Sequence, residues 1–161
     1  MRKLKIYLDT SVIGYLDQHD DPTRMNDTLK LWKDIQMGRY DVYISSVGLA
    51  EIGRCHEEKR NTLESFLSSI DFQTVTITEE MESLANQIIK QGILSQKSFD
   101  DCVHIAAAVA IECDIIVSWN FKHMVNIKTI NGVRAINLLN GYKPIDIYSP
   151  EVLVERSEND E

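Results

Sequence analysis

Hydrophobic and polar positions along the chain follow two periods, short apolar runs and longer helical stripes, in alternation. Residues 4–8 (LKIYL) read as a short buried strand, and Asp9, Thr10 and Ser11 form a polar turn into an apolar helical turn from Val12 to Leu16. Met25, Leu29, Leu31, Trp32 and Ile35 recur at helical spacing over 23–37, and Gly38 ends that helix. A strand is expected at 41–45, helices at 47–55 and 57–69, and a third strand at 72–77. Thr76 and Glu79 have capping-box spacing for a helix over 78–91, stopped by Gly92. Ser98 and Asp101 form a second such box, opening a helix that runs to Glu112 through the small residues 106–110. The pattern closes with a strand at 114–118, a short helix starting near Asn120, a helix near 131–140 and a last strand at 145–148.

Short apolar strands separated by longer helices imply an α/β fold. Its sheet is mostly parallel, has four to five strands and is covered by helices on both faces. In such a sheet functional groups gather beyond the carboxyl ends of the strands. With three prolines and neither a repeat nor a low-complexity linker, residues 1–150 read as a single domain and 151–161 as a polar, frayed tail.

Composition removes several function classes. The longest apolar runs, 105–111 and 115–117, fall far short of the roughly 20 residues of a membrane span, so no membrane association is expected. Arg2, Lys3 and Lys5 precede an apolar stretch that Asp9 breaks, and no small-residue cleavage site follows; a cytoplasmic location is the expectation. Cys55, Cys102 and Cys113 lack CxxC spacing, which argues for buried free thiols against a disulfide framework or zinc knuckle. The net charge of −8 opposes nonspecific coating of nucleic acid by the whole surface. Residues 115–145 differ: Lys122, Lys128, Arg134 and Lys143 stand there without any acid, giving +4 in a chain whose remainder is −12.

Four polar residues fall where a parallel sheet collects chemistry. Asp9 ends the first strand, Glu51 lies in the helix after the second, Asp101 opens the helix before the fourth, and Asn120 follows the fourth. Clustered carboxylates repel one another unless protonated or neutralised, and hard oxygen ligands select Mg²⁺ or Mn²⁺. Each residue also has a plainer role: Asp9 and Asn120 as helix caps, Asp101 as the acidic half of its capping box, Glu51 on a solvated face. Asp100 neighbours Asp101 and projects about 100° away, so both stay open as the ligand. His104, one turn after Asp101, is either a metal ligand or proton carrier, or a packed, hydrogen-bonded histidine. Thr10, Ser11 and Ser118 either orient a water or phosphate oxygen or cap backbone. Trp119, Phe121, Lys122 and His123 combine rings and cations able to stack a base and hold a phosphate, with core packing the competing role for the rings.

Residues 6–13 (IYLDTSVI), 49–52 (LAEI), 101–108 (DCVHIAAA) and 117–122 (VSWNFK) together resemble the ordered motifs of PIN-domain ribonucleases, the group containing VapC-type toxins. The resemblance covers residues 5–125. It implies a three-layer α/β/α fold and a metal-dependent endoribonuclease, with Asp9, Glu51 and Asp101 as acidic ligands of Mg²⁺ or Mn²⁺ and Asn120 assisting. Asn120 stands where many members carry a further Asp; a neutral amide offers oxygen without charge, so a second metal position is expected to be weak or absent. Lys122, Lys128 and Arg134 are the candidate phosphate contacts. Toxin members are restrained by a small antitoxin protein and often form homodimers, which makes RNA, an antitoxin and a second copy the expected partners. The alternative is a PIN-like scaffold that binds RNA or a partner protein without cutting. Ser11 replaces the second Asp of an aspartyl-phosphate phosphatase, and G-x-S-x-G, GxxxxGK[ST] and HExxH are all absent.

Overall fold

The structure, a computed structural model, describes residues 2–159. Its five strands, β1 (Leu4–Leu8), β2 (Tyr40–Ser45), β3 (Gln73–Val75), β4 (Ile115–Val117) and β5 (Asp146–Tyr148), form one sheet in the order β3-β2-β1-β4-β5, and every pair is parallel. The chain winds outward from β1 to β3 and then returns to the other side of β1 as β4. The order therefore reverses between β1 and β4, and it is beyond the carboxyl ends of such a strand pair that parallel sheets carry functional groups.

Side chains alternate across the strands and feed two cores. Tyr7, Val75, Ile116 and Ile147 face α5 (Glu79–Lys90), α6 (Phe99–Ala110) and α7 (Ile127–Asn140). Ile6, Leu8, Val42, Ile44, Ile115 and Val117 face α1 (Thr10–Gly14), α2 (Pro22–Gln36), α3 (Ser46–Gly53) and α4 (Glu57–Ser68). The result is the expected three-layer arrangement, and each fully buried Leu or Ile contributes on the order of 1.5–3 kcal/mol by leaving water. Among the described residues no helix is long and apolar enough to cross a membrane.

Four local expectations are corrected. Residues 151–159 of the predicted polar tail form helix α8 (Pro150–Asn159) instead, because Leu153 and Val154 are buried against the same core as α2; residues 160 and 161 lie outside the described residues. The short helix near Asn120 is only a turn: the Asn120 side chain caps it by accepting from the His123 backbone N–H at 2.9 Å, and the Asn126 side chain closes it by donating to the Phe121 and Lys122 carbonyls at 3.0 Å. Helix α7 begins at Ile127 rather than 131, capped by Asn126, whose Oδ1 accepts from Thr129 N–H at 2.9 Å. Neither predicted capping box forms: Thr78, not Thr76, caps α5, and the Ser98 side chain makes no cap hydrogen bond to α6.

Candidate active site

Asp9 is the first residue beyond β1 and the N-cap of α1. Its carboxylate accepts from Val12 N–H at 3.4 Å, so the capping role is real. It is also far more than a cap. Ser11 Oγ donates to Oδ1 at 2.5 Å, and Ser118 Oγ, just beyond β4, donates to Oδ2 at 2.7 Å across the point where the strand order reverses. The same two hydroxyls accept backbone N–H groups, Ser11 from Trp119 and Ser118 from Asn120, each at 2.9 Å. Of the two roles expected for Ser11 and Ser118, the structure shows the bonding of backbone, and it adds the holding of Asp9. Asp9 is only 3% exposed, and burial raises its pKa despite the two hydroxyl bonds and the charge of His104.

Glu51 projects from α3, a helix that Ser45 caps at the end of β2 by accepting from Gly48 N–H at 3.1 Å. Its Oε1 lies 3.1 Å from His104 Nε2. His104 is 3% exposed, and its Nδ1 meets the buried Tyr7 hydroxyl at 2.5 Å. Burial alone would lower the His104 pKa, but the bond to Glu51 and the charges of Asp9, Glu51 and Asp101 raise it on balance. Burial would likewise raise Glu51, yet the hydrogen bond and charge of His104, with Thr10 and Arg54, hold it below its ordinary value. The packed, hydrogen-bonded reading of His104 holds, and the imidazole is the point at which all three predicted carboxylates act electrostatically.

Asp101 lies in the first turn of α6. Its Oδ2 is 2.9 Å from His123 Nδ1, and its Oδ1 is 3.5 Å from Asn120 Nδ2. Asn120 therefore turns its oxygen to the loop backbone and its amine to Asp101. Asp100 is exposed to solvent. Of the predicted phosphate contacts, Lys122 is exposed two residues beyond Asn120, whereas Lys128 and Arg134 are exposed on α7. Six residues apart on a helix, those two point about 120° from each other and stand roughly 9 Å apart along the axis, so they lie on different faces of α7.

Two participants escaped the sequence reading. His123 was visible only as a cation in a mixed cluster; nothing in the spacing pairs it with Asp101, 22 residues earlier. Tyr7 reads as an ordinary strand residue, and only the approach of α6 over β1 makes it the partner of His104.

The donor set suits a hard divalent cation, since Asp9, Glu51 and Asp101 offer only oxygens and Asp9 is a buried carboxylate that a cation would relieve. Among the described residues, however, no three His, Cys, Asp or Glu side chains are arranged as a ligand cluster. Glu51 and Asp101 each meet a histidine, through Oε1 and Oδ2 respectively.

A PIN-domain family model matches residues 6–122. The chain belongs to the PIN-domain family. No curated protein matches it. Among solved structures, VapC20 of Mycobacterium tuberculosis, a toxin that cleaves the sarcin-ricin loop, superposes with a TM-score of 0.57 at 18% identity over 73% of this chain and 92% of that one. VapBC2 of Rickettsia felis, bound to a DNA fragment from its promoter, gives 0.55 at 15% identity over 91% of this chain and 98% of that one. Both share the fold of this PIN domain, and the matched segment carries Asp9, Glu51, Asp101 and Asn120.

Proposed function

We propose that this PIN domain is an endoribonuclease that hydrolyses RNA phosphodiester bonds with Mg²⁺ or Mn²⁺, as the toxin of a toxin–antitoxin pair. The observation that supports it is the placement of Asp9 just beyond β1, bridged to Ser118 across the reversal of strand order, with Glu51 against His104 and Asp101 against His123. Asp9, Glu51 and Asp101 hold the ion, and Lewis acidity at the phosphodiester is the chemistry that the ion supplies when bound. The protein's own groups do the rest. Ser11 and Ser118 fix Asp9, His104 clamps Glu51 until the site is loaded, Asn120 and His123 orient Asp101, and Lys122 holds a phosphate at the rim, with Lys128 and Arg134 engaging RNA farther along α7. The VapBC2 neighbour supports an antitoxin as the restraining partner, and a second copy of the chain is a further partner by the resemblance to VapC-type toxins alone.

Purified protein should cut single-stranded RNA with Mg²⁺ or Mn²⁺ and stop in chelator. Asp9→Asn should lose at least about a hundredfold in rate, the equivalent of the several kcal/mol that a catalytic ion contributes. Equal cleavage by the wild type and Asp9→Asn would sink the assignment. The scaffold reading, binding RNA or a partner without cutting, is favoured by one observation, the histidine-paired state of Glu51 and Asp101. It predicts RNA retention in gel shift with no cleavage in either metal.

A further inference from the structure

Arg24 stands on α2, some 90 residues from the loop beyond β4, yet its guanidinium carbon lies 5.1 Å from the Phe121 ring centre, 5.4 Å from Trp119 and 5.9 Å from Tyr15. The rings themselves are close, with centroids 5.8 Å apart for Tyr15 and Trp119 and 6.2 Å for Trp119 and Phe121. Burial is graded across the group. Trp119 is 4% exposed and serves the core, whereas the Arg24 side chain and Phe121 are both 39% exposed. The guanidinium reaches Tyr15 Oη at 3.4 Å and Asp21 only at 3.7 Å, so much of its charge remains toward solvent.

This surface is bolted to the candidate active site. Trp119 Nε1–H donates to Thr28 Oγ1 at 2.8 Å, and that hydroxyl donates to the Arg24 carbonyl at 2.7 Å, which locks α2 to the loop. Trp119 N–H donates to Ser11 Oγ, which donates to Asp9. Phe121 follows Asn120 directly, and Lys122 follows Phe121.

We propose that Phe121 and Arg24 form a stacking platform for one unpaired RNA base next to the bond being cut, with Tyr15 and Trp119 as its rigid backing. The proposal rests on the ribonuclease reading and adds a positioning element to it. An exposed ring beside a guanidinium plane offers the two surfaces on which bases stack, and the positive charges of Arg24 and Lys122 suit the phosphates on either side of that base. A base inside a duplex has both faces covered by its neighbours, so the platform selects single-stranded RNA.

The test is equilibrium binding of single-stranded RNA oligonucleotides in chelator, where nothing is cut, with one abasic position stepped along the strand. In the wild type one abasic position should weaken binding by between about five- and 150-fold, and the others far less. Phe121→Ala, a change at an exposed ring, should bind intact RNA that much more weakly and become indifferent to that abasic position. Phe121→Trp should keep the abasic sensitivity, while Arg24→Lys should keep the salt dependence and lose part of the abasic sensitivity. The platform is overturned if the wild type binds RNA with no abasic position standing out, or if Phe121→Ala retains the full abasic response; cleavage that persists in either case leaves the ribonuclease reading intact. Wild-type protein that neither binds nor cuts any RNA overturns both. Loss of affinity for a protein partner in Phe121→Ala, with RNA binding unchanged, would assign the surface to that partner and also overturn the platform.

Discussion

The two halves of the candidate site hold their carboxylates by different means. Asp9 is buried and held by two serine hydroxyls and a backbone N–H, all neutral donors, and burial leaves its pKa raised. Glu51 and Asp101 are part-exposed, at 26% and 24% of their side chains, and each pairs with a histidine. Hydroxyl bonds persist across pH, whereas the Glu51–His104 pair weakens when that ring deprotonates or a better cation arrives. One side of the site is therefore fixed by neutral donors of the fold, and the other is held by histidine pairs.

The largest break in this contrast comes from His104. Its folded pKa is raised, so its stabilisation is complete below the unfolded value of 6.5 and is lost as pH climbs through the folded pKa. Glu51 is shifted down, so its share is present above 4.5 and is lost as pH falls through its folded pKa. Both shares are whole only from pH 4.5 to 6.5. His104→Gln should lower the metal-free thermal midpoint most in that window, by roughly 3–6 °C once the part-exposure of Glu51 is discounted. The gap from the wild type should narrow above the His104 folded pKa. Thermal scans in chelator across pH 4 to 9 check this, and a gap that does not change with pH would remove the ion pair from the account.

The same contrast separates what was legible in the sequence from what was not. The strand–turn–helix at residues 4–16 is written locally: an apolar run, then Asp9, whose side chain caps the helix that follows, so Asp9 was found with its position right. The same holds for Glu51 and Asp101, each within one turn of a readable boundary. Helix α8 was hidden because Leu153 and Val154 stand in a stretch rich in charged residues, and burial against the core that α2 shares decides it rather than composition. His123, Tyr7 and Arg24 were out of reach for another reason: each acquires its role through a contact set by the packing of α6, the loop beyond β4 or α2, and no periodicity encodes such a contact.

Asp101 and its neighbour give the next test. If Asp101 serves the site, Asp101→Asn should remove most of the midpoint rise that Mn²⁺ gives, while Asp100→Asn, on the same helical turn but exposed, should keep it. His123→Ala should free Asp101 and lower the half-saturating Mn²⁺ concentration in calorimetry by about two- to fivefold, since a part-exposed pair is worth up to about 1 kcal/mol. A loss in Asp100→Asn equal to that in Asp101→Asn would return Asp101 to the role of an acidic residue at a helix N-terminus, worth roughly 0.3–1 kcal/mol.

The smallest effect belongs to Asn120, which joins the two halves through Ser118 and Asp101. Its amide oxygen accepts from His123 N–H, and its amine faces Asp101 Oδ1 at 3.5 Å. In Asn120→Asp one carboxylate oxygen can keep the turn, so the other takes the place of the amine and confronts Asp101. Two like charges at that distance cost about 1 kcal/mol where water reaches them, so the midpoint in chelator should fall by about 2–4 °C. A divalent ion reverses the sign, because the confronted pair becomes two anionic ligands, and the half-saturating Mn²⁺ concentration should drop several-fold. A lower midpoint in chelator that Mn²⁺ fails to restore would confine Asn120 to its turn and exclude it from any ion-binding role.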